Sequence, residues 1–331
     1  ALFLSLKSLG VKHNSGSVIT TPYSFYATTA AIKNAGAEPV FVDVGRDFNI
    51  DPDKIIPAID ARTIGIVPVH WAGRPCNMAA INGIAERYGL WVLEDCAHAP
   101  NSLYHGKKCG SFGKVNAFSL HPLKNVNVWG DGGVITTDDD VKASWLRKAR
   151  NHGMSDRNTC EFWGYNSRLD TVQAVVARHV LAGLESITAG RRARAKILDK
   201  LLSGIKGVEL PVDAPDTASN YYLYSFHVEH RDDLQRALVF NGIDAKVHYP
   251  VPLHLQPAAK AFGGFKRGDF PVAEWCADTT LSLPVHEFLT EDDLEFMARQ
   301  TRYFYELMEK LAITDPWRGG LLASGRWKEG G

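Results

Sequence analysis

Apolar and polar positions along the first 150 residues fall into segments that predict strands and helices in turn. Short apolar runs predict strands over 17–20, 38–44, 64–69, 90–94 and 134–137. Apolar residues at helical spacing predict helices over 2–9, 27–35, 53–59, 78–88 and 140–151. Gly36 and Gly89 each follow one of these helices, where glycine often ends a helix. Since strands that alternate with helices lie parallel in one sheet, we predict a doubly wound α/β fold.

The pattern changes after residue 151. Residues 154–168 are polar and aromatic without periodicity, which predicts a long loop. One helical stretch then runs over 169–202, with Gly190 as a candidate interruption. The remainder predicts strands over 221–228, 246–249 and 279–283 and helices over 232–240 and 291–310. We therefore predict a large domain over 1–190, a smaller α/β domain over 191–315 and a glycine-rich tail over 316–331.

Composition limits the classes of partner. The 331 residues include 37 Lys and Arg and 37 Asp and Glu, so the formal net charge is zero and gives no reason to expect nucleic acid or an anionic membrane as partner. The basic run 191–196 is typical of a solvated helix face. Five cysteines without metal-ligand spacing predict a reduced, cytoplasmic protein without a metal site. The sequence shows neither a transmembrane run nor a signal peptide.

One lysine is enclosed by apolar segments. Lys124 lies in a polar turn between the apolar segment 117–120 and the glycine-rich reversal 130–137. An ammonium group in such surroundings loses hydration, which lowers its pKa from about 10.4, and the neutral amine is a nucleophile toward aldehydes. The alternative is a surface-turn lysine with a solvated head, which is the more frequent case for a lysine.

A carboxylate upstream gives this lysine a chemical partner. Asp95 follows the apolar run 90–93, and ligand groups in α/β proteins collect at the carboxyl ends of strands. An enzyme that uses pyridoxal 5′-phosphate (PLP) needs a lysine for the Schiff base and an acid that keeps the pyridine nitrogen protonated. Asp95 and Lys124 follow neighbouring predicted strands in the order that serves these roles. Spacing alone leaves open that Asp95 is a helix N-cap.

Six ordered motifs lie at 21–25, 39–44, 94–98, 119–125, 164–170 and 247–250. Together they resemble the DegT/DnrJ/StrS family of PLP-dependent sugar aminotransferases, which have the aspartate-aminotransferase fold (fold type I). The resemblance runs from Ala1 to about residue 310. Each motif is weak alone, whereas six in the family's order are specific. The resemblance implies a large doubly wound sheet domain followed by a smaller C-terminal α/β domain.

The resemblance also implies roles around the cofactor ring. Lys124 would form the Schiff base and move the proton during transfer, and Asp95 would pair with the pyridinium. Phe25 would stack on the ring, unless it is an ordinary core residue. His98 would lie near a ring oxygen or carboxylate, with a tautomer that the sequence does not define.

Further positions are implied for the phosphate and the substrates. Ser119 would donate to the phosphate, and Asn166 would reach that phosphate from the neighbouring subunit of a homodimer with shared active sites. Arg168 would meet a substrate carboxylate. For Asn166 and Arg168 the alternative is a helix-capping turn. His121 and the pair His248 and Tyr249 are candidates for the sugar pocket, against a structural role.

The implied activity is transfer of an amino group from glutamate or glutamine to a keto sugar, most simply a nucleotide-linked one, in amino-sugar biosynthesis. Three alternatives remain open. A dehydratase of the same family would carry histidine at the position of Lys124. A regulatory paralogue without catalysis would be expected to lack Lys124 or Asp95. A two-domain oxidoreductase is disfavoured because no G-x-G-x-x-G follows the first strand.

The first residues prompt a further expectation. Residues 1–6 begin inside a helical pattern, without a cap or an initiator methionine. Family members place a glycine-threonine phosphate-binding turn immediately before this point. We therefore expect the numbered chain to be truncated and to lack part of the cofactor site.

Overall fold

The computed structural model describes residues 1–314. Its twelve described strands are β1 (Ser17–Thr20), β2 (Glu38–Phe41), β3 (Thr63–Ile66), β4 (Trp91–Asp95), β5 (Leu103–Tyr104), β6 (Lys107–Lys108), β7 (Val115–Ser119), β8 (Gly133–Thr136), β9 (Val208–Glu209), β10 (Thr217–Ala218), β11 (Tyr224–Val228) and β12 (Thr280–Leu283). Its nine described α-helices are α1 (Leu2–Ser8), α2 (Tyr26–Ala35), α3 (Met78–Tyr88), α4 (Asp140–Ala149), α5 (Thr171–Ala182), α6 (Leu184–Leu202), α7 (Arg231–Phe240), α8 (Pro271–Thr279) and α9 (Glu291–Thr314). Short 3₁₀ turns connect several of these elements.

The main sheet has six strands in the order β2-β1-β3-β4-β7-β8. Every neighbouring pair is parallel except β7 and β8, which are antiparallel. Successive residues of a strand point to opposite faces. Val18 and Leu93 accordingly pack in one buried cluster with α1, α2 and α4, whereas their neighbours Ile19 and Val92 pack in another with α3. Helices thus cover both faces, as predicted for a doubly wound sheet.

A second sheet lies in the C-terminal part of the chain. It has the order β12-β11-β9 and is antiparallel throughout. Its apolar side chains share a core with α6, α7 and α9, where Phe226 and Leu281 are fully buried. A third small sheet, β10-β5-β6, joins residues 217–218 to the hairpin 103–108. The domain boundary at residue 190 falls inside α6 and stays a prediction.

The helical stretch predicted over 169–202 is two helices. The break lies at Gly183 (φ −96°, ψ 0°) between α5 and α6 and not at Gly190. Gly190 instead marks a close approach, since a Cβ there would lie 2.8 Å from the Cβ of Glu287. Both glycines have the same low helix propensity, so the sequence alone does not indicate which of them interrupts the helix.

Other local predictions were also wrong. The helix predicted over 53–59 is two 3₁₀ turns, Pro52–Lys54 and Ile56–Ala58, each with proline near its start. The strand predicted over 246–249 is one isolated bridge between Lys246 and Ser282. Strands β2 and β3 end several residues earlier than predicted. The predicted tail over 316–331 lies outside the described residues.

Among residues 1–314, none of the helices combines the length and the apolar character needed to cross a lipid bilayer.

Candidate active site

The candidate site lies at the carboxyl edge of the main sheet. Strands β4 and β7 are parallel neighbours, with Leu93 opposite Val115 and Asp95 opposite Ala117. Both strands therefore end at the same edge. The chain continues from β7 into a turn that holds Lys124, whose backbone N–H donates to His121 O at 2.8 Å. The pairing of two strands brings the acid and the lysine of the sequence prediction to one cleft.

Asp95 is buried and its two carboxylate oxygens are held separately. Thr28 Oγ1 donates to Oδ2 at 2.8 Å, and the Ala97 N–H donates to Oδ1 at 3.1 Å. Burial raises the pKa of Asp95, while these two donors and the charge of Lys124 oppose that rise. No helix begins after Asp95, since turns follow it as far as Asn101. The helix N-cap alternative is therefore wrong.

Lys124 is half-buried. Burial lowers the pKa of its ammonium to about 8, and the negative charge of Asp95 works in the opposite direction. The Lys124 Nζ lies 4.4 Å from the centroid of the Tyr222 ring. At neutral pH the unprotonated fraction of this amine is therefore larger than that of a solvated surface lysine.

His98 is buried beside this lysine. Its Nδ1 accepts a hydrogen bond from the Ala72 N–H at 3.2 Å, so the neutral ring carries its proton on Nε2. Burial, and then the positive charge of Lys124, hold the pKa of His98 well below its usual value. The ring stacks on Tyr222 with centroids 4.3 Å apart. The structure thus assigns the tautomer that the sequence left open.

Phe25 and Tyr249 form an aromatic side of the cleft. Phe25 occupies the N-cap position of α2 and is 50% exposed, so the core alternative for this residue is wrong. Its ring centroid lies 6.0 Å from that of Tyr249. The buried Tyr23 holds the Tyr249 segment in place, because its hydroxyl donates to His248 O at 2.6 Å and accepts from the Tyr249 N–H at 3.1 Å.

His248 is half-buried and hydrogen-bonds through Nδ1 to Ser282 Oγ at 3.1 Å. Burial lowers its pKa to about 4, with further contributions from the charges of Lys246 and Lys124. Both histidines near Lys124 are therefore uncharged at pH 7.

Ser119 and His121 shape the turn before Lys124. Ser119 ends β7, and its Oγ accepts a hydrogen bond from the His121 N–H at 3.3 Å. The exposed His121 accepts from the Leu123 N–H through Nδ1, also at 3.3 Å. Hydrogen bonds from backbone N–H groups to side-chain acceptors thus stabilise this turn.

Asn166 and Arg168 lie elsewhere in this chain. Both are exposed and line a groove of about 630 Å³ next to β8 and α4, whose lining does not include Lys124, Asp95 or His98. The Arg168 guanidinium donates to Asn151 Oδ1 at 3.1 Å. Of the predicted site residues, these two are not brought to the cleft within one chain.

The sequence was compared with models of known protein families. A family model described as the DegT/DnrJ/EryC1/StrS aminotransferase family matches residues 1–301. The chain belongs to this family. The resemblance inferred from the six motifs is thereby confirmed.

Individual relatives agree with this membership. The dTDP-3-amino-3,4,6-trideoxy-alpha-D-glucose transaminase of Streptomyces venezuelae is 40% identical over 86% of this chain and 75% of that protein. The pleiotropic regulatory protein of Geobacillus stearothermophilus is 38% identical over 92% of this chain and 82% of that protein. The crystal structure of DesV from S. venezuelae, in complex with a ketimine intermediate, has a TM-score of 0.88 and 38% identity over 92% of this chain and 81% of that one.

Family membership confirms three predictions made from the sequence, namely fold type I, aminotransferase activity and PLP as cofactor. The residues of the cleft fit that cofactor. A PLP-dependent aminotransferase needs an amine of lowered pKa and an acid held in a fixed orientation, and Lys124 and Asp95 have these properties. The half-exposed Phe25 follows β1, and Ser119 is the last residue of β7. Both strands run parallel to β4 and end at the same edge.

Beneath the cleft, Glu94 is the centre of a buried hydrogen-bond cluster. Its carboxylate accepts from the N–H groups of Gly110, Phe112 and Gly113 at 2.6 to 2.8 Å and lies 2.8 Å from His70 Nε2. Burial alone would raise the pKa of Glu94, but the hydrogen bonds from His70 and the backbone hold it below its usual value. His70 Nδ1 accepts from the Cys76 N–H at 3.0 Å, so the ring is neutral and donates to Glu94.

This cluster also places a thiol near two potential metal ligands. Ligand atoms of His70, Glu94 and Cys96 lie within 4.8 Å of one another. Both ring nitrogens of His70 and both oxygens of Glu94 already have hydrogen-bond partners. We therefore interpret the group as a structural support of β4.

Sequence reasoning missed three residues of the cleft. Thr28 orients Asp95, Tyr222 lies against Lys124, and Asn125 is buried with no hydrogen-bond partner for its amide among the described residues. Thr28 and Tyr222 make contacts between distant parts of the chain, for which spacing gives no signal. Asn125 lies inside the motif 119–125, but its burial is visible only in the fold.

Replacing Tyr23 with phenylalanine tests the link between the main sheet and the His248–Tyr249 segment. Tyr23→Phe removes the hydroxyl that donates to His248 O at 2.6 Å and accepts from the Tyr249 N–H at 3.1 Å. We expect the free energy of unfolding to fall by about 1–3 kcal/mol, measured by urea titration. The control is Tyr88→Phe, at an exposed position on α3, which should change it by less than about 0.5 kcal/mol. Equal stabilities of the two variants would contradict this role of Tyr23.

Proposed function

We propose that this aminotransferase moves an amino group from glutamate or glutamine to the ketone of a nucleotide-linked sugar, in amino-sugar biosynthesis. The observation that carries the proposal is a half-buried lysine of lowered pKa next to a buried, oriented carboxylate at one sheet edge. The nucleotide-sugar substrate is supported by the relative named as a dTDP-aminosugar transaminase.

Lys124 would perform the proton chemistry. Its amine would bind the aldehyde of the cofactor and, once released, accept the proton from the α-carbon of the amino donor. A pKa of about 8 suits both tasks, because the neutral amine is available near neutral pH and its conjugate acid can return the proton. When bound, PLP supplies an electron sink for the carbanion.

Asp95 would hold the ring nitrogen in its protonated form. The carboxylate is fixed by Thr28 and by the Ala97 N–H, so it is oriented before the ligand arrives. A buried anion of this kind gains a cationic partner when the ring binds, which offsets the cost of its own burial. Phe25 would cover one face of the ring, and Ser119 would donate to the phosphate.

The histidines and Tyr249 would contact the substrates as neutral groups. His98 would offer its Nε2 proton near a ring oxygen, because Nδ1 is engaged by Ala72. His248 and Tyr249 follow the isolated bridge between Lys246 and Ser282 of β12 and, with His121 on the turn, would line the sugar pocket. Neutral hydrogen-bonding side chains suit sugar hydroxyls and leave the charge of the site to Lys124 and Asp95.

The active site would be shared between two copies of the chain in a homodimer. Large apolar side chains in the turn around Lys124, in the loop 154–168 and on α5 are strongly exposed: Leu123 (76%), Trp129 (82%), Trp163 (93%), Val172 (73%) and Val175 (63%). Ala177 is the buried residue of α5, although that helix is mostly apolar. Such a surface is typical of an interface. Asn166 would then reach the phosphate of the partner's site and Arg168 a substrate carboxylate there.

Two alternatives of the same family are less well supported. A dehydratase would carry histidine where this chain has Lys124. A regulatory role without catalysis is suggested by the name of the relative from Geobacillus stearothermophilus. This chain, however, has both Lys124 and Asp95 in one cleft. The five cysteines are all unpaired, which supports the proposed reduced, cytoplasmic location.

Substitution of Lys124 tests the catalytic assignment. In Lys124→Ala we expect loss of the visible absorbance of covalently held PLP and a fall in kcat of at least about 10³-fold, since a positioned acid–base group is removed. Turnover is measured as transfer of ¹⁵N from labelled glutamate to a keto sugar. The control is Lys114→Ala, an exposed lysine next to the opposite end of β7, which should keep the absorbance and the rate. Wild-type turnover in Lys124→Ala would refute the assignment.

Substitution of Thr28 tests the role of Asp95. Thr28→Val removes the hydroxyl donor to the Asp95 carboxylate, so the pKa of Asp95 rises further and less of it is ionised as the pH falls. We expect PLP to bind the apoprotein about 10-fold more weakly at pH 7, with a larger loss towards pH 5. The matched control is Thr29→Val, because the Thr29 hydroxyl is buried without a hydrogen-bond partner among the described residues. Equal losses in the two variants would count against an ionised Asp95 at the ring.

Mixing two inactive variants tests the shared site. One protein carries Lys124→Ala and the other carries Asn166→Ala with Arg168→Ala. If the site combines Lys124 of one copy with Asn166 and Arg168 of the other, half of the randomly re-formed dimers contain one intact site. The mixture should then regain about a quarter of the wild-type activity. Activity no greater than that of the separate proteins would show that the residues do not act across an interface.

A further inference from the structure

The ring of Tyr222 lies beside Lys124. The Lys124 Nζ lies 4.4 Å from the centroid of the Tyr222 ring. The same ring stacks on His98 with centroids 4.3 Å apart and an interplanar angle of 27°. Tyr222 precedes β11, so it approaches the lysine from the side of the second sheet. One ring therefore contacts two of the proposed cofactor residues.

The position of this ring is fixed by a buried amide. Asn220 is fully buried, and its Nδ2 donates to His98 O at 2.9 Å and to Pro100 O at 2.8 Å. Its Oδ1 accepts from the Tyr222 N–H, also at 2.9 Å. Asn220 thus ties the backbone of Tyr222 to the loop that carries His98, and the Arg191 guanidinium donates to Tyr222 O at 3.4 Å from α6.

One charged group and several neutral rings, including that of Tyr222, face the Lys124 ammonium. Asp95 is the carboxylate that faces the ammonium from β4, while His98 and His248 face it as neutral rings. Burial raises the pKa of the Tyr222 phenol, so this ring is neutral as well. An ammonium that has lost hydration is attracted to the negative face of an aromatic ring.

We propose that Tyr222 is a positioning residue for Lys124, whose ammonium rests on the Tyr222 ring whenever the lysine is not bound to the cofactor. The ring keeps Nζ in the cleft and stabilises its charged form, so the lysine stays where it can receive and return a proton. This inference rests on the role proposed for Lys124. It assigns a function to the ring face of Tyr222 and none to its hydroxyl.

The test measures the pKa of Lys124 in the apoprotein. The rate at which an amine-reactive reagent labels Lys124 is followed against pH by peptide mass spectrometry in Tyr222→Leu and Tyr222→Phe. Loss of the ring should lower the apparent pKa by about 0.5 to 1 unit, whereas phenylalanine keeps the ring and should stay within about 0.3 unit of the wild type. The matched control is Tyr221→Leu, the same change one residue earlier, which should leave the value unchanged.

A second series keeps the shape of the residue constant. Phenylalanine at position 222 is replaced by analogues with one, two and three ring fluorines, which progressively weaken the negative face of the ring. The pKa of Lys124 should fall stepwise along the series. A flat series, or equal shifts in Tyr222→Leu and Tyr221→Leu, would overturn the proposal even if the leucine variants fold poorly.

The outcome is separable from that of the proposed function. Borohydride reduction of the PLP-loaded protein reports whether Lys124 binds the cofactor, and it does not depend on Tyr222. A stepwise fall in the pKa of Lys124 along the fluorinated series would support the contact between the ammonium and the ring. Reduction that attaches the cofactor to another lysine would instead overturn the catalytic role proposed for Lys124.

Discussion

The parallel pairing of β4 with β7 is the constraint on which the site depends. Its register sets Asp95 opposite Ala117 and leads both strands to one edge of the sheet. A slip of one residue would turn Asp95 to the other face, because side chains alternate along a strand. Glu94, the preceding residue on β4, opposes such a slip. Its carboxylate accepts hydrogen bonds from three backbone N–H groups of the loop that leads into β7. Glu94 thereby helps to fix the position of Asp95, the acid proposed to bind the ring.

Burial at that edge acts in opposite directions on the two charged groups. It raises the pKa of the Asp95 carboxyl and lowers that of the Lys124 ammonium, and the attraction between the two opposes both shifts. The lysine is consequently poised to act both as a base and as an acid near neutral pH. The neighbouring histidines are held neutral and add no competing charge. Asp95 and Lys124 are thus the charged side chains between which the cofactor ring would lie.

The sequence predicted the parallel part of the fold well because each strand and helix there has its own periodic pattern. Helix α3 begins and ends at the predicted residues, with Gly89 in the left-handed conformation after it (φ 67°). Prediction failed where tertiary contact decides, as at Gly183 and Gly190 or in the isolated bridge at Lys246. In the cleft, Asp95 and Lys124 follow from local patterns, whereas Thr28 and Tyr222 come from segments 67 and 98 positions away from their partners.

Lys124 is proposed to bind the cofactor covalently, and this assignment can be checked chemically. The most direct measurement reduces the PLP-loaded protein with borohydride, digests it and identifies the modified lysine by mass spectrometry. We expect a phosphopyridoxyl group in stoichiometric amount on Lys124 and on no other lysine. Stoichiometric modification of a different lysine, with Lys124 unmodified, would contradict it.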